Sequence, residues 1–228
     1  SKHYTFDDFG RPETSVTKNA GGEFKTVSSY NSLGQVSQMA LPNGMFVKSY
    51  YTNGQLRSNY DAATNKLLSK IDSVDAQGRV TQQTFAGGVS RTQSFENGSG
   101  FIDAISISNA TQTLYTVNYK HDIRGTTRHR ISQYYEPGVG NNSFKFTESF
   151  GYENNGLQRL RTRSVSHAST RYGVSLRLAN QTYSYDAYGN IRTNTNVGTY
   201  HYTNANNPYQ LTSVSGASGK RSYSMAYD

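Results

Sequence analysis

The sequence predicts an all-β chain laid out as a row of antiparallel hairpins, and three observations lead there. Gly, Asn, Ser and Thr, the residues of turns and polar strand positions, make up 92 of the 228 residues. Leu, Ile, Val and Phe together number 41 while tyrosine alone numbers 19, so a core is expected to be built from tyrosine rather than leucine. One short phrase recurs along the whole chain: aromatic, polar, aromatic, acidic or amide residue, two residues, glycine, polar or basic residue, aliphatic. Such a composition argues against a helical bundle and against a doubly wound α/β enzyme.

The copies follow in order. Tyr4-Thr5-Phe6-Asp7-Asp8-Phe9-Gly10-Arg11 opens the chain, and Tyr30-Asn31-Ser32-Leu33-Gly34-Gln35-Val36 repeats it. Tyr51-Thr52-Asn53-Gly54-Gln55-Leu56 is one residue shorter, and Val74-Asp75-Ala76-Gln77-Gly78-Arg79-Val80 lacks the tyrosine. Phe95-Glu96-Asn97-Gly98-Ser99-Gly100 is lengthened, and Tyr119-Lys120-His121-Asp122-Ile123-Arg124-Gly125 is the sixth copy. Tyr152-Glu153-Asn154-Asn155-Gly156-Leu157-Gln158-Arg159 carries Gln158 where the glycine is expected. Tyr183-Ser184-Tyr185-Asp186-Ala187-Tyr188-Gly189-Asn190 is the clearest copy, and Tyr223-Ser224-Met225-Ala226-Tyr227-Asp228 begins another.

Glycines 10, 34, 54, 78, 100 and 125 lie 20 to 25 residues apart, the length of a strand, a short turn and a returning strand. The Asp or Asn of each copy is suited to bond back to turn amides, and the glycine to supply positive φ. Paired aromatics two residues apart place both rings on one sheet face, against the same positions of the neighbouring copy. About 14–20 strands of ordinary length are expected, with under roughly 10 % helix. The chain reads as a single repeat segment, 1–228, excised from a longer protein and cut inside a repeat.

These phrases, Tyr183 to Asn190 and Tyr4 to Arg11 above all, resemble the repeat of the Rhs (YD-repeat) family. The Leu41-Pro42-Asn43-Gly44 turn and the Tyr200-His201-Tyr202 and Pro208-Tyr209-Gln210-Leu211-Thr212-Ser213-Val214 phrases are similar to that family's inter-repeat phrases. The resemblance spans essentially the whole chain. It implies a curved, spiralling sheet forming a section of a hollow shell, which in bacterial members encloses a toxic C-terminal domain and in teneurins forms an extracellular barrel. It also implies a secreted or cell-surface location, with the rest of the parent chain and an enclosed toxin domain as partners. The family's autoproteolytic core has an Asp-Pro and glycine-rich signature; Pro137-Gly138-Val139-Gly140 lacks the preceding aspartate, so no catalytic residue carries over.

The remaining chemistry is sparse. There is no cysteine, hence no disulfide and no thiolate metal site, and no apolar run approaches the ~18 residues of a membrane span. His3, His121, His129, His167 and His201 form no ligand-spaced set, and no loop concentrates enough acidic oxygens for calcium. Gly216-Ala217-Ser218-Gly219-Lys220 is too short for a phosphate loop, and no Gly-x-Ser-x-Gly elbow occurs. No catalytic, cofactor-binding or metal residue is therefore assigned, and no cofactor is expected. The repeat-defining residues are Tyr4, Phe6, Asp7, Gly10, Tyr30, Gly34, Tyr51, Gly54, Gly78, Tyr119, Asp122, Gly125, Tyr152, Tyr183, Tyr185, Asp186 and Gly189.

Charge is uneven: residues 124–177 carry nine Lys or Arg against three acids, and supply six of the eight net positive charges. Arg159, Arg161 and Arg163 alternate, which on a regular strand gives one partner-facing or cargo-facing side. Glu148 and Glu153 are the acids expected to pair with them, and replacing all three arginines by Gln is expected to barely move the melting midpoint. No nucleic-acid-reading motif accompanies them, so nucleic acid is not expected as a partner. Two function classes follow. One is a non-catalytic wall segment of a shell, the other a carbohydrate- or protein-binding adhesion module using exposed tyrosines. Open sheet edges would also allow self-association.

Overall fold

Among the described residues of the computed structural model, which are 1–136, 143–169 and 179–227, every regular element is a strand except the 3-10 turn Ala86–Gly88. Contacts divide the chain into two units. The first comprises Ser1–Gln93 and Ile107–Gln112. It holds β1 (Lys2–Phe6), β2 (Pro12–Asn19), β3 (Gly22–Tyr30), β4 (Val36–Ala40), β5 (Phe46–Thr52), β6 (Gln55–Asp61), β7 (Leu67–Val74), β8 (Val80–Phe85) and most of β9 (Val89–Phe95). Each pairs antiparallel with the next in the chain.

The second unit comprises Ser94–Ser106 and Thr113–Asp228. It holds most of β10 (Ile102–Ser108), then β11 (Thr113–His121), β12 (Thr127–Tyr135), β13 (Ser143–Tyr152), β14 (Leu160–Ser169) and β15 (Gln181–Tyr185). β16 (Ile191–Asn194), β17 (Gly198–His201), β18 (Ser213–Gly216) and β19 (Tyr223–Ser224) complete it. From β11 onward the pairing is again antiparallel and in chain order. The all-β hairpin architecture expected from the repeats is therefore the architecture observed.

A β-bulge recurs at one phase of the repeat. Phe6 pairs with Pro12 and Thr5 with Thr14, so Glu13 is the extra residue. The same two-for-one step follows Tyr30, Tyr51, His121, Tyr152 and Tyr185, leaving Ser37, Arg57, Arg128, Arg161 and Arg192 as the extra residues on the returning strands. A bulge bends the strand and re-aims side chains. Here it falls on the returning strand, opposite the aromatic residue that precedes the turn.

The tyrosine core is corrected in one respect. Among the described residues the only buried apolar side chains are Val117 and Val214, and none of the tyrosines is fully buried. Tyr30, Tyr51, Tyr152, Tyr183 and Tyr185 are half-buried, whereas Tyr4 and Phe6 on β1 are exposed. Tyr30, Tyr51, Tyr152 and Tyr185 keep their hydroxyls on main-chain carbonyls, whereas Tyr183 donates to the Gln181 side chain. Val74, which takes the tyrosine's place in the fourth copy, is exposed.

All the repeat glycines take positive φ, but they do not all sit in the same turn. Gly54 (φ 79°) follows Asn53 (φ 51°) in a two-residue Asn-Gly hairpin between Thr52 and Gln55, because that copy is a residue short. Gly189 (φ 90°) sits in the longer turn, where an added Cβ would meet only the Arg159 guanidinium at 3.7 Å. Replacing it by Ala is expected to cost only the left-handed strain, about 1–2 kcal/mol. Gly198 (φ 139°) differs, since a Cβ would lie 1.9 Å from the Ser215 carbonyl oxygen across the β17–β18 pair. Gly198→Ala should therefore cost clearly more, about 3 kcal/mol. Urea melts followed by circular dichroism check the order of the two variants.

Candidate functional site

The repeat turn is built from one carboxylate or amide. Asp7 N–H donates to the Arg11 carbonyl at 2.9 Å, and Gly10 N–H returns to the Asp7 carbonyl at 2.9 Å. Oδ1 of Asp7 accepts from the Phe9 and Arg11 amides at 3.0 and 2.9 Å, while Oδ2 accepts from Arg11 Nε at 2.7 Å. The pattern recurs at Asp75 with Arg79, and at Asp186 with Asn190. At Asp122 the amides of Arg124 and Thr126 donate to Oδ1, and Arg128, two residues further on, supplies the guanidinium at 2.9 Å. Asn31 repeats the amide pattern and gives its own Nδ2–H to Gln35. In the seventh copy Gln158 takes the left-handed conformation itself (φ 52°), so the turn closes between Glu153 and Arg159 without the usual glycine.

The same guanidinium then meets the tyrosine of the next copy. Arg11 lies 4.4 Å from the Tyr30 ring centre, Arg128 4.9 Å from Tyr152, and Arg159 4.6 Å from Tyr185. Each tyrosine hydroxyl donates to the main-chain carbonyl where the preceding copy's returning strand begins. Tyr30 bonds Pro12, Tyr51 bonds Val36, Tyr152 bonds Thr127, and Tyr185 bonds Leu160, at 2.7 to 2.9 Å. Tyr202 and Tyr227 continue the series onto Ile191 and Leu211. The last side chain of a turn also reaches the following turn, as Gln35 Nε2 does to Gly54 and Asn190 Nδ2 to Pro208. The outcome is a contact of carboxylate, guanidinium and ring that ties the first, sixth and seventh turns to the copies that follow them, while Tyr51 joins its neighbour through the hydroxyl bond alone.

Arg159, Arg161 and Arg163 separate. Arg159 lies before β14 and pairs with Glu153 at 2.6 Å. Arg161 is the extra residue of the bulge and is exposed, so the even alternation across the three is interrupted. Arg163 pairs with Glu148 at 2.7 Å, and Arg130 pairs with the other oxygen of the same carboxylate at 2.6 Å. Glu148 is 3 % exposed. The cheap triple replacement expected from the sequence is therefore revised: Arg161 is dispensable, but Arg163 neutralises a buried carboxylate. Arg130 escaped notice in the sequence because its partner is fixed only by strand register.

Electrostatics follow this geometry. Hydrogen bonds from Arg11 hold the Asp7 carboxyl below its usual range, and those from Arg159 do the same for Glu153. Burial pushes Glu148 up, but hydrogen bonds and charge from Arg130 and Arg163 outweigh it and bring the carboxyl down. Burial raises the phenols of Tyr152 and Tyr185. His121 Nδ1 lies 3.1 Å from Glu96 Oε1, while His129 and His201 meet Ser149 and Ser215 hydroxyls. Among the described residues no group of three or more His, Asp or Glu could hold a metal ion, and no helix is long and apolar enough to cross a membrane. Pro137-Gly138-Val139-Gly140 and Asp228 lie outside the described residues.

Fold and site together define an antiparallel repeat protein whose units are joined turn to turn. No family model matches the sequence, and no curated protein does. Solved structures do match. The crystal structure of TcdB2-TccC3-Cdc42 superposes on 93 % of this chain with a TM-score of 0.53 at 12 % identity. That of TcdB2-TccC3 covers 96 % at 0.52 and 12 % identity, and a Tc holotoxin pore of Photorhabdus luminescens covers 91 % at 0.50 and 12 % identity. The chain spans only 14 to 15 % of each matched chain's length. Its fold is thus that of a stretch of these toxin-complex proteins, in agreement with the Rhs resemblance read from the repeats.

Three outcomes are expected. Carboxylates with folded pKa values below the unfolded ones stabilise the chain above the unfolded value of about 4 and lose that contribution as pH falls through the folded value. The melting midpoint should stay level from about pH 7 to 5 and drop below about pH 4 in a circular-dichroism titration. The double replacement Arg130→Gln with Arg163→Gln should cost about 3 kcal/mol, against under ~0.5 kcal/mol for Arg161→Gln, in denaturant melts. Tyr185→Phe should cost about 1 kcal/mol through the lost hydroxyl bond, and Tyr185→Ala measurably more because the ring leaves Arg159.

Proposed function

We propose that the chain is a non-catalytic wall segment of an Rhs/YD-repeat shell that encloses a toxic or effector domain in a large secreted or surface bacterial protein. The observation that carries this reading is the turn-to-turn ladder. It uses recurring aromatic, acidic and basic positions for cohesion between successive copies. Likeness of fold to TcdB2-TccC3 over most of the chain supports it. In this reading the partners are the adjoining repeats of the parent chain and the enclosed domain, and the residues 1–228 act as one repeat segment.

The test is cryo-electron microscopy of the intact parent protein. This segment should lie within a continuous wall around enclosed density, with Tyr185 and Arg159 in contact as here. A parent protein in which the segment projects as an appendage, with no enclosed chain beside it, would overturn the reading.

A further inference from the structure

The tyrosine contact between successive copies is interrupted at the fourth. Every other copy places a tyrosine, phenylalanine or histidine ring ahead of its turn, whereas the fourth places Val74 there. Where a tyrosine is present, its hydroxyl meets the carbonyl that lies opposite the aromatic residue of the copy before. Tyr51 bonds Val36, which pairs with Tyr30, and Tyr152 bonds Thr127, which pairs with His121. By the same register the fourth copy's target is the Leu56 carbonyl, since Leu56 pairs with Tyr51. Val74 has no hydroxyl to give, and among the described residues no side chain donates to that carbonyl. The fifth copy, whose Phe95 also lacks a hydroxyl, compensates: Gln93 Nε2 donates to the corresponding Val80 carbonyl at 2.5 Å.

The place a ring would take is a cleft between the third and fourth turns. Leu56, Ile71, Val74 and Val80 supply its apolar lining, and Arg57 stands among them. Its volume of about 560 Å³ is well above the ~150 Å³ that accommodates a benzene ring. Val74 is 42 % exposed and Leu56 39 %, so the apolar surface is open to an incoming group. A cation is already in position. Arg57 is the extra residue of the third copy's bulge, the phase held in the sixth copy by Arg128, which lies 4.9 Å from the Tyr152 ring centre. Arg57 Nη2 donates to the Asp72 carbonyl at 2.8 Å, which tethers the guanidinium. Leu56 and Arg57 thus repeat the Thr127 and Arg128 setting of Tyr152 without its ring. Thr52, Asn53 and Gln55 also line the cleft and offer polar groups to main-chain amides on either side of a ring.

We propose that this cleft binds a tyrosyl side chain of another polypeptide, its ring against Arg57 and its hydroxyl donating to the Leu56 carbonyl. A tyrosine carried on an extended chain is what fills the equivalent place between other copies, so the occupant continues a contact the fold already makes. The room and the polar groups around the ring suit a peptide better than a lone phenol. The proposal goes beyond the shell reading and does not depend on it.

Amide NMR titration of the full chain with acetyl-Ser-Tyr-Ser-amide tests it, with acetyl-Ser-Phe-Ser-amide and p-cresol as comparisons. The tyrosine peptide should shift Leu56, Arg57 and Val74, and the phenylalanine peptide should bind about fivefold more weakly for want of the hydroxyl bond. p-Cresol, which lacks the flanking amides, should be weaker by about the same factor. Val74→Tyr should fill the cleft with the chain's own ring, raise the melting midpoint and abolish binding. Arg57→Gln should fold as the parent does and weaken the tyrosine peptide about threefold. Absence of shifts at these residues, equal binding of the phenylalanine peptide or of p-cresol, or undiminished binding by either folded variant would each overturn the assignment.

Discussion

A strand that buries little aliphatic surface must draw cohesion from its polar groups, and those groups stabilise only when each finds a partner. The repeat meets this demand with one composite contact. A turn carboxylate satisfies two amides and orients a guanidinium, the guanidinium receives the next ring, and the ring's hydroxyl satisfies a carbonyl on the strand it left behind. Remove the carboxylate and the guanidinium loses its anchor; remove the guanidinium and the ring loses its floor. The bulge recurs at the same phase of the repeat as the tyrosine contact, opposite Tyr30, Tyr51, Tyr152 and Tyr185.

Glu148 stands apart from that scheme. It lies mid-strand, not in a turn, and its burial would be costly with one partner or none. Two arginines from flanking strands meet its two oxygens, so three strands of the second unit are fastened at one point. The surplus charge this leaves gives the aromatic face of those strands a chemical character that the paired Asp–Arg turns do not have.

What the sequence revealed divides along range. The turns were legible because Asp or Asn followed three residues later by Gly is local chemistry, and the strands because the turns bracket them. Gln158 was not legible as a glycine substitute, since its left-handed backbone is imposed by the hairpin around it. Nor was Arg128, which supplies from two residues downstream what Arg11 supplies at the turn itself. Arg161 misled for the related reason that period-two counting assumes an unbroken ladder, and the bulge falls on that residue. The pairing of Glu148 with Arg163 follows from their places on adjoining strands and is the one expected from the sequence, but that with Arg130 depends on register across 18 residues, which no local pattern records.

The acceptor of each tyrosine hydroxyl is a main-chain carbonyl, not a side chain. Every amino acid supplies that carbonyl, so the residue beneath a tyrosine can be exchanged without a matching change in the tyrosine. Pro12, Val36, Thr127 and Leu160, four unlike residues, all serve. A fold built on such contacts tolerates wide change in sequence while its backbone stays put, and a likeness of fold over 93 % of the chain at 12 % identity is compatible with that tolerance.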